Sequence, residues 1–166
     1  IVVKGDNVML GYYKDDEATK RAFTHDMKNF ENNFWFKTGD IGYIDNDGYI
    51  YITGRKKNVI ILSNGKNVFP EELEEHLSHC DLIAESIVLG RKNDAGEIVI
   101  TALVHPNYDK LEGKNDAEVE QTIRDAVNEI NRSLPSFKHM TEVEIYKEEF
   151  EKTTTKKIKR FIYENK

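Results

Sequence analysis

Along this chain, short alternating runs of apolar and polar residues come first, and longer, better-patterned segments follow. Residues 1–3 and 8–10 are apolar around Lys4-Gly5-Asp6-Asn7, which reads as strand, turn, strand. Asp15 and Asp16 form the N-cap region of a helix expected to run to about Phe23. The polar stretch 24–34 holds no periodicity and reads as a loop. Ile44 and Tyr49-Ile50-Tyr51-Ile52 alternate on either side of Asp45-Asn46-Asp47-Gly48, the pattern of a hairpin. Those four turn residues also resemble the start of a calcium loop, but no glutamate stands at the twelfth place, so the turn reading is taken.

A second hairpin is expected from 59–62 and 67–69 around Asn64-Gly65, where glycine supplies the positive φ of a tight turn. Pro70 then opens a helix whose first turns carry Glu71, Glu72, Glu74 and Glu75, with Leu73 and Leu77 as its buried face. The strongest strands are 86–90 and 98–104, joined through Ala95-Gly96; the second is apolar enough to be covered on both faces. After a loop over 106–114, Asn115 and Glu118 form a capping box. Val119, Ile123, Ala126, Val127, Ile130 and Leu134 line one face of the helix that follows, and Pro135 ends it. Residues 143–146 alternate as a third strand. The pattern predicts an α+β fold, a sheet of about three main strands plus a hairpin with helices packed on it, preceded by a β-rich segment.

Composition narrows the partners. Charged residues make up 33% of the 166, above the usual share of about 25%, so the surface is heavily solvated. Thirty acidic against 24 basic residues give a net charge of −6, which argues against nucleic acid, although Lys152 to Arg160 is a local basic patch. No apolar run approaches the roughly 18 residues of a transmembrane segment. The single cysteine, Cys80, excludes an internal disulfide framework and suits a reducing, cytoplasmic location. His76, His79 and Cys80 have a metal-like spacing without a partner pair, so no metal site is assigned; surface histidines and a buried free thiol are expected. Ile1 rather than Met opens the chain inside an apolar run, and the chain is expected to be a piece of a longer protein.

Four short motifs remain: Thr38-Gly39-Asp40 after Trp35-Phe36, Gly54-Arg55-Lys56-Lys57, Asn64-Gly65-Lys66-Asn67 leading into Pro70-Glu71-Glu72-Leu73-Glu74, and Lys152-Thr153-Thr154-Thr155-Lys156-Lys157. In this order they resemble the carboxy-terminal motifs of the adenylate-forming (AMP-binding) enzymes. Within that superfamily they look most like the long-chain fatty acid–CoA ligases, the acyl-CoA synthetases.

The resemblance implies a division into 1–55, the end of a large amino-terminal domain, and 56–166, a mobile carboxy-terminal lid that turns about a hinge near Lys57. It implies that Asp40 takes the ribose hydroxyls of ATP, for which a carboxylate has two suitable acceptors. Arg55 would touch the nucleotide, Gly65 would let the CoA arm pass, and Lys157 would be the catalytic lysine of adenylation. Here the sequence departs from the family pattern. Lys156 stands where glycine is usual and Glu151 where proline is common, which makes Lys156 a rival for the catalytic role. A plain basic helix start is the non-catalytic alternative for this stretch.

The implied reaction uses ATP, Mg2+ and CoA, with a fatty acid or other carboxylic acid as substrate. The acid is first activated as an acyl-adenylate and then transferred to CoA. No glycine-rich phosphate loop is present in the sequence, so the chain alone is expected to be inactive. The longer enzyme is expected to be cytoplasmic, with a membrane-peripheral placement as the alternative. Two other readings stay open: an enzyme that loads the acyl-adenylate onto a carrier protein, and a non-catalytic interaction module with the lid fold.

Overall fold

The structure, a computed structural model, describes residues 1–25 and 34–164. They cluster into two compact units, Ile1–Lys57 and Asn58–Lys166, each described by itself.

In the first unit, β1 (Val2–Val3) is followed by α1 (Asp16–Ala22), β2 (Phe23–His25), β3 (Phe34–Lys37), β4 (Asp40–Ile44) and β5 (Ile50–Arg55). The Asp15 side chain caps α1 by accepting from the Ala18 N–H. β1 and β2 both pair antiparallel with β3. Two expectations are corrected here. Residues 8–10 are not a strand: Leu10 is fully exposed, and no partner strand meets it among the described residues. The polar stretch after the helix also begins with a strand, because Phe23 and Thr24 pair with Phe36 and Trp35. The rest of the expected loop, 26–33, lies outside the described residues. The Asp45–Gly48 turn forms as read. Asp45 Oδ1 accepts from the N–H groups of Asp47 and Tyr49, and Gly48 takes φ +87°.

The second unit is a small α+β domain. β6 (Ile60–Ile61) and β7 (Asn67–Val68) form a hairpin that leads into α2 (Pro70–Ser78). β8 (Ile83–Lys92) and β9 (Ile98–Pro106) form a long antiparallel pair. α3 (Asp116–Arg132) carries the chain to β10 (Glu142–Ile145), which lies parallel to β9. The sheet order is β10-β9-β8. Both strands of the long pair run beyond their apolar centres because the pairing continues to Ile83 opposite Pro106 and to Lys92 opposite Ile98.

The central strand explains the layering. Ile100 to Val104 are all buried, and alternate side chains enter two different clusters. Ile100, Ala102 and Val104 pack with Leu73 and Leu77 of α2 and with Val119, Ile123 and Val127 of α3. Leu103 packs on the other face with Ile87, Leu89, Phe150 and Tyr163. Each such fully buried apolar side chain contributes about 1.5–3 kcal/mol, so the second face needs the carboxy-terminal segment as a cover. Gly90 of β8 permits the hairpin to dock: a Cβ there would stand 2.7 Å from Ile60 Cγ2. The capping box of α3 is complete, with Asn115 and Glu118 bonding each other's backbone N–H. Cys80 is half-buried against the core rather than fully buried, while His76 and His79 are exposed.

Candidate functional site

Asp40 opens β4 and Arg55 closes β5, so the antiparallel register puts their Cα positions opposite each other. Arg55 Nε lies 2.9 Å from Asp40 Oδ1. The Thr38 hydroxyl accepts from the Asp40 N–H at 3.0 Å and donates to the Ile1 carbonyl at 3.0 Å, which fixes the backbone carrying the carboxylate. Asp40 is thus mostly buried at 21% exposure while Arg55 reaches into solvent at 57%. The second Asp40 oxygen and the terminal guanidinium nitrogens carry no partner among the described residues. Two groups fifteen residues apart in sequence are brought together by a hairpin and offer acceptors and donors side by side.

Lys57 is exposed in a turn. Its neighbours are anchored on either side: the Lys56 N–H donates to the Gly39 carbonyl, and Asn58 Nδ2 donates to Glu71 Oε1 at 2.5 Å. Gly65 sits at the β6–β7 turn with φ +78°, and a Cβ there would meet nothing within 4 Å. The Gly65 N–H donates to the Leu62 carbonyl, and Asn64 Oδ1 accepts from Lys66 N–H. Beside this turn the Lys66 ammonium lies 4.1 Å from the Phe137 ring centroid, and Lys138 pairs with Glu72 at 2.6 Å.

The basic stretch 152–160 is a tight hairpin rather than a helix start. The Thr153 N–H donates to the Lys157 carbonyl at 2.8 Å, the Lys156 N–H to the Thr153 carbonyl at 2.9 Å, and Lys152 bridges Ile158. Lys156 takes φ +60°, in the left-handed region that glycine favours. A short 3-10 turn, Arg160–Ile162, follows.

Charge separates the five cations of this stretch. Lys152 pairs with Glu85 and Glu149, Lys159 with Glu151, and Arg160 with Glu74. The two carboxylates raise the Lys152 pKa by hydrogen bonding and charge. Lys156 and Lys157 have no ion-pair partner among the described residues. Lys156 lines a cavity of about 370 Å³ behind the hairpin, together with Glu74, Ser78, Glu85, Ser86 and Lys152. Lys157 is exposed at the hairpin's closing pair. Gly65 and Lys157 share no hydrogen bond or ion pair.

Sequence reasoning missed the carboxylates around this hairpin. Arg160 Nη2 lies 2.5 and 2.7 Å from the two Glu74 oxygens, and burial, opposed by Arg160, pushes the Glu74 carboxyl above its ordinary value. Glu74 stands in a run of helix-opening acids, and nothing in that run marks one as a partner. No cluster of three or more metal-ligating side chains occurs among the described residues, and none of their helices is long and apolar enough to cross a membrane.

The second unit is thus an α+β domain whose carboxy-terminal hairpin carries two lysines, Lys156 and Lys157, without an ion-pair partner among the described residues. Residues 57–166 match the family of the AMP-binding enzyme C-terminal domain, and the chain belongs to that family. It is 43% identical over 90 residues to a long-chain-fatty-acid–CoA ligase of Mycobacterium tuberculosis, an alignment covering 54% of this chain and 14% of that protein. A sulfoacetate–CoA ligase of Cupriavidus necator is 41% identical over 105 residues, covering 63% and 19%. The o-succinylbenzoate–CoA synthetase of Bacillus subtilis, solved with its acyl-adenylate intermediate, superposes with a TM-score of 0.76 at 25% identity, over 99% of this chain and 30% of that one. The same synthetase solved with ATP and magnesium ion gives 0.71 at 28% identity, over 96% and 29%. The chain thus spans less than a third of the length of each of these proteins, and the acids they are named for differ.

Proposed function

We propose that the chain is the carboxy-terminal part of an ATP-dependent long-chain fatty acid–CoA ligase, with 1–55 ending a large domain and 56–166 forming a lid that turns near Lys57. The single observation that carries this is the Lys157 hairpin, where Lys152, Lys159 and Arg160 are paired with carboxylates and the Lys157 ammonium is left for a substrate. As the acid's carboxylate attacks the α-phosphorus of ATP, negative charge spreads over the attacking, transferring and leaving oxygens, and a positioned cation stabilises it. Lys157 rather than Lys156 is assigned this role, because Lys156 serves as the left-handed turn residue and lines the cavity behind the hairpin.

Asp40 and Arg55 hold the ribose and phosphate side of the nucleotide. Gly65, with open space where a Cβ would stand, lets the CoA arm pass close to the backbone. Magnesium accompanies the ATP phosphates, and no residue of this chain is assigned to it. The long-chain fatty acid rests on the resemblance of the Trp35-Phe36-Lys37-Thr38-Gly39-Asp40, Gly54-Arg55-Lys56-Lys57-Asn58 and Asn64 to Glu74 motifs, while the relatives reported above are named for different acids. The chain alone is inactive in this reading, since its sequence holds no glycine-rich phosphate loop; acid-dependent exchange of pyrophosphate into ATP by the purified chain would overturn that point.

The two half-reactions of the full-length protein test the assignment. Lys157→Ala should lose acyl-adenylate formation by about 100- to 1000-fold, the usual loss for one preorganised donor. It should still form thioester from supplied acyl-adenylate. Gly65→Leu should do the reverse. A normal adenylation rate in Lys157→Ala with a defect in Lys156→Ala would transfer the role to Lys156, and normal rates in both would end the reading.

A further inference from the structure

Two carboxylates hold the two ends of the Lys157 hairpin. β8 is the outer strand of its sheet, so alternate backbone groups on its free side need partners. Val88 is one such position: its N–H donates to Glu74 Oε1 at 2.7 Å, and its carbonyl accepts from Arg160 Nη1 at 2.8 Å. The Glu74–Arg160 pair therefore stands where a further strand would, and it joins α2, β8 and the segment leaving the hairpin. Both side chains are only about one-fifth exposed, at 21% and 18%, so solvent screens the pair weakly. Arg160 follows Lys157 by three residues, at most about 10 Å of chain.

At the other end, Lys152 pairs with Glu85 of β8, and Glu85 Oε2 also accepts from the Phe150 N–H at 3.1 Å. Glu85 is 17% exposed. The left-handed Lys156 works against this arrangement, because an L side chain in that conformation favours opening the turn.

We propose that Glu74 and Glu85 are positioning residues for Lys157, fixing the start and the end of its hairpin on β8 and so setting where its ammonium is presented. This deepens the functional reading above and rests on the assignment of Lys157 to acyl-adenylate formation. The charge itself matters: a neutral glutamine keeps the shape and one acceptor but cannot hold a lysine or an arginine by charge-assisted hydrogen bonds.

The test uses the full-length protein and measures each half-reaction separately in Glu74→Gln, Glu85→Gln, Glu74→Asp and Lys157→Ala. Both glutamine variants should lose acyl-adenylate formation by about 10- to 100-fold, the scale expected when a reacting group is misplaced by around 1 Å. Thioester formation from supplied acyl-adenylate should be unchanged, and Glu74→Asp, which keeps the charge, should recover part of the loss. A merely structural role would lower both half-reactions together, and that result would overturn the proposal, as would undiminished adenylation in both glutamine variants. If Glu74→Gln does not fold, Glu85→Gln leaves the Arg160 pair intact and carries the same test. Normal adenylation in Lys157→Ala would instead place the failure in the functional reading.

Discussion

Thr153 and Lys157 bond each other twice across the hairpin: the Thr153 N–H donates to the Lys157 carbonyl at 2.8 Å, and the Thr153 hydroxyl accepts from the Lys157 N–H at 3.2 Å. Three residues close between them, and the last, Lys156, must take a positive φ for the strands to meet. The turn is thus built for glycine and carries lysine.

That conflict predicts a stabilising substitution. Lys156→Gly removes the left-handed penalty of about 1–2 kcal/mol, partly offset by the greater freedom of glycine in the unfolded chain. Urea unfolding of the purified chain should show a net gain of about 0.5–1 kcal/mol. Lys156→Val, β-branched in the same conformation, should lose stability.

Glu74 should titrate above its ordinary value of 4.5, since burial outweighs the lowering by Arg160 and the Val88 N–H, and Glu71 adds to the rise. The folded state then binds the proton more tightly than the unfolded chain. This group therefore favours folding most below the ordinary value, and that contribution is lost as pH rises through the raised one. Carboxyl-carbon NMR should give a midpoint above 4.5, and Arg160→Leu should move it higher. A midpoint at or below the ordinary value would contradict the burial argument.

Asn131 is a buried polar residue on the core face of α3, and its amide bonds both the N–H and the carbonyl of Met140 at 2.9 and 3.0 Å. Asn131→Ala leaves those two backbone groups unsatisfied, at a cost of about 1–3 kcal/mol each where water does not reach. The urea midpoint should fall clearly, with little change in the denaturant slope.

Lys57 lies between Lys56, bonded to Gly39, and Asn58, bonded to Glu71. In the full-length protein Lys57→Pro fixes φ and removes a donor. One half-reaction should suffer far more than the other if this residue is the pivot. Equal losses in both would count against it.

Much of this protein was legible from its sequence, because the informative signals act over a few residues. The Asp45–Gly48 turn, the Asn115–Glu118 capping box, the proline start of α2 and the apolar face of α3 are local choices of backbone and side chain. The apolar run 98–104 announced a strand covered on both faces, since alternate side chains there leave no polar side for solvent. What covers the second face was not legible, because Phe150 and Tyr163 come from a segment whose sequence reads only as basic and polar. Residues 8–10 looked like a strand by apolarity alone, yet a strand also needs a partner edge, and that is a property of the fold. The same limit hid the Glu74–Arg160 pair. Glu74 and Arg160 are 86 residues apart, and each sits among like charges that are equivalent in sequence. Only the packing of α2 and the hairpin against the free edge of β8 selects which carboxylate meets which cation, because ion pairing depends on distance and burial and not on order along the chain.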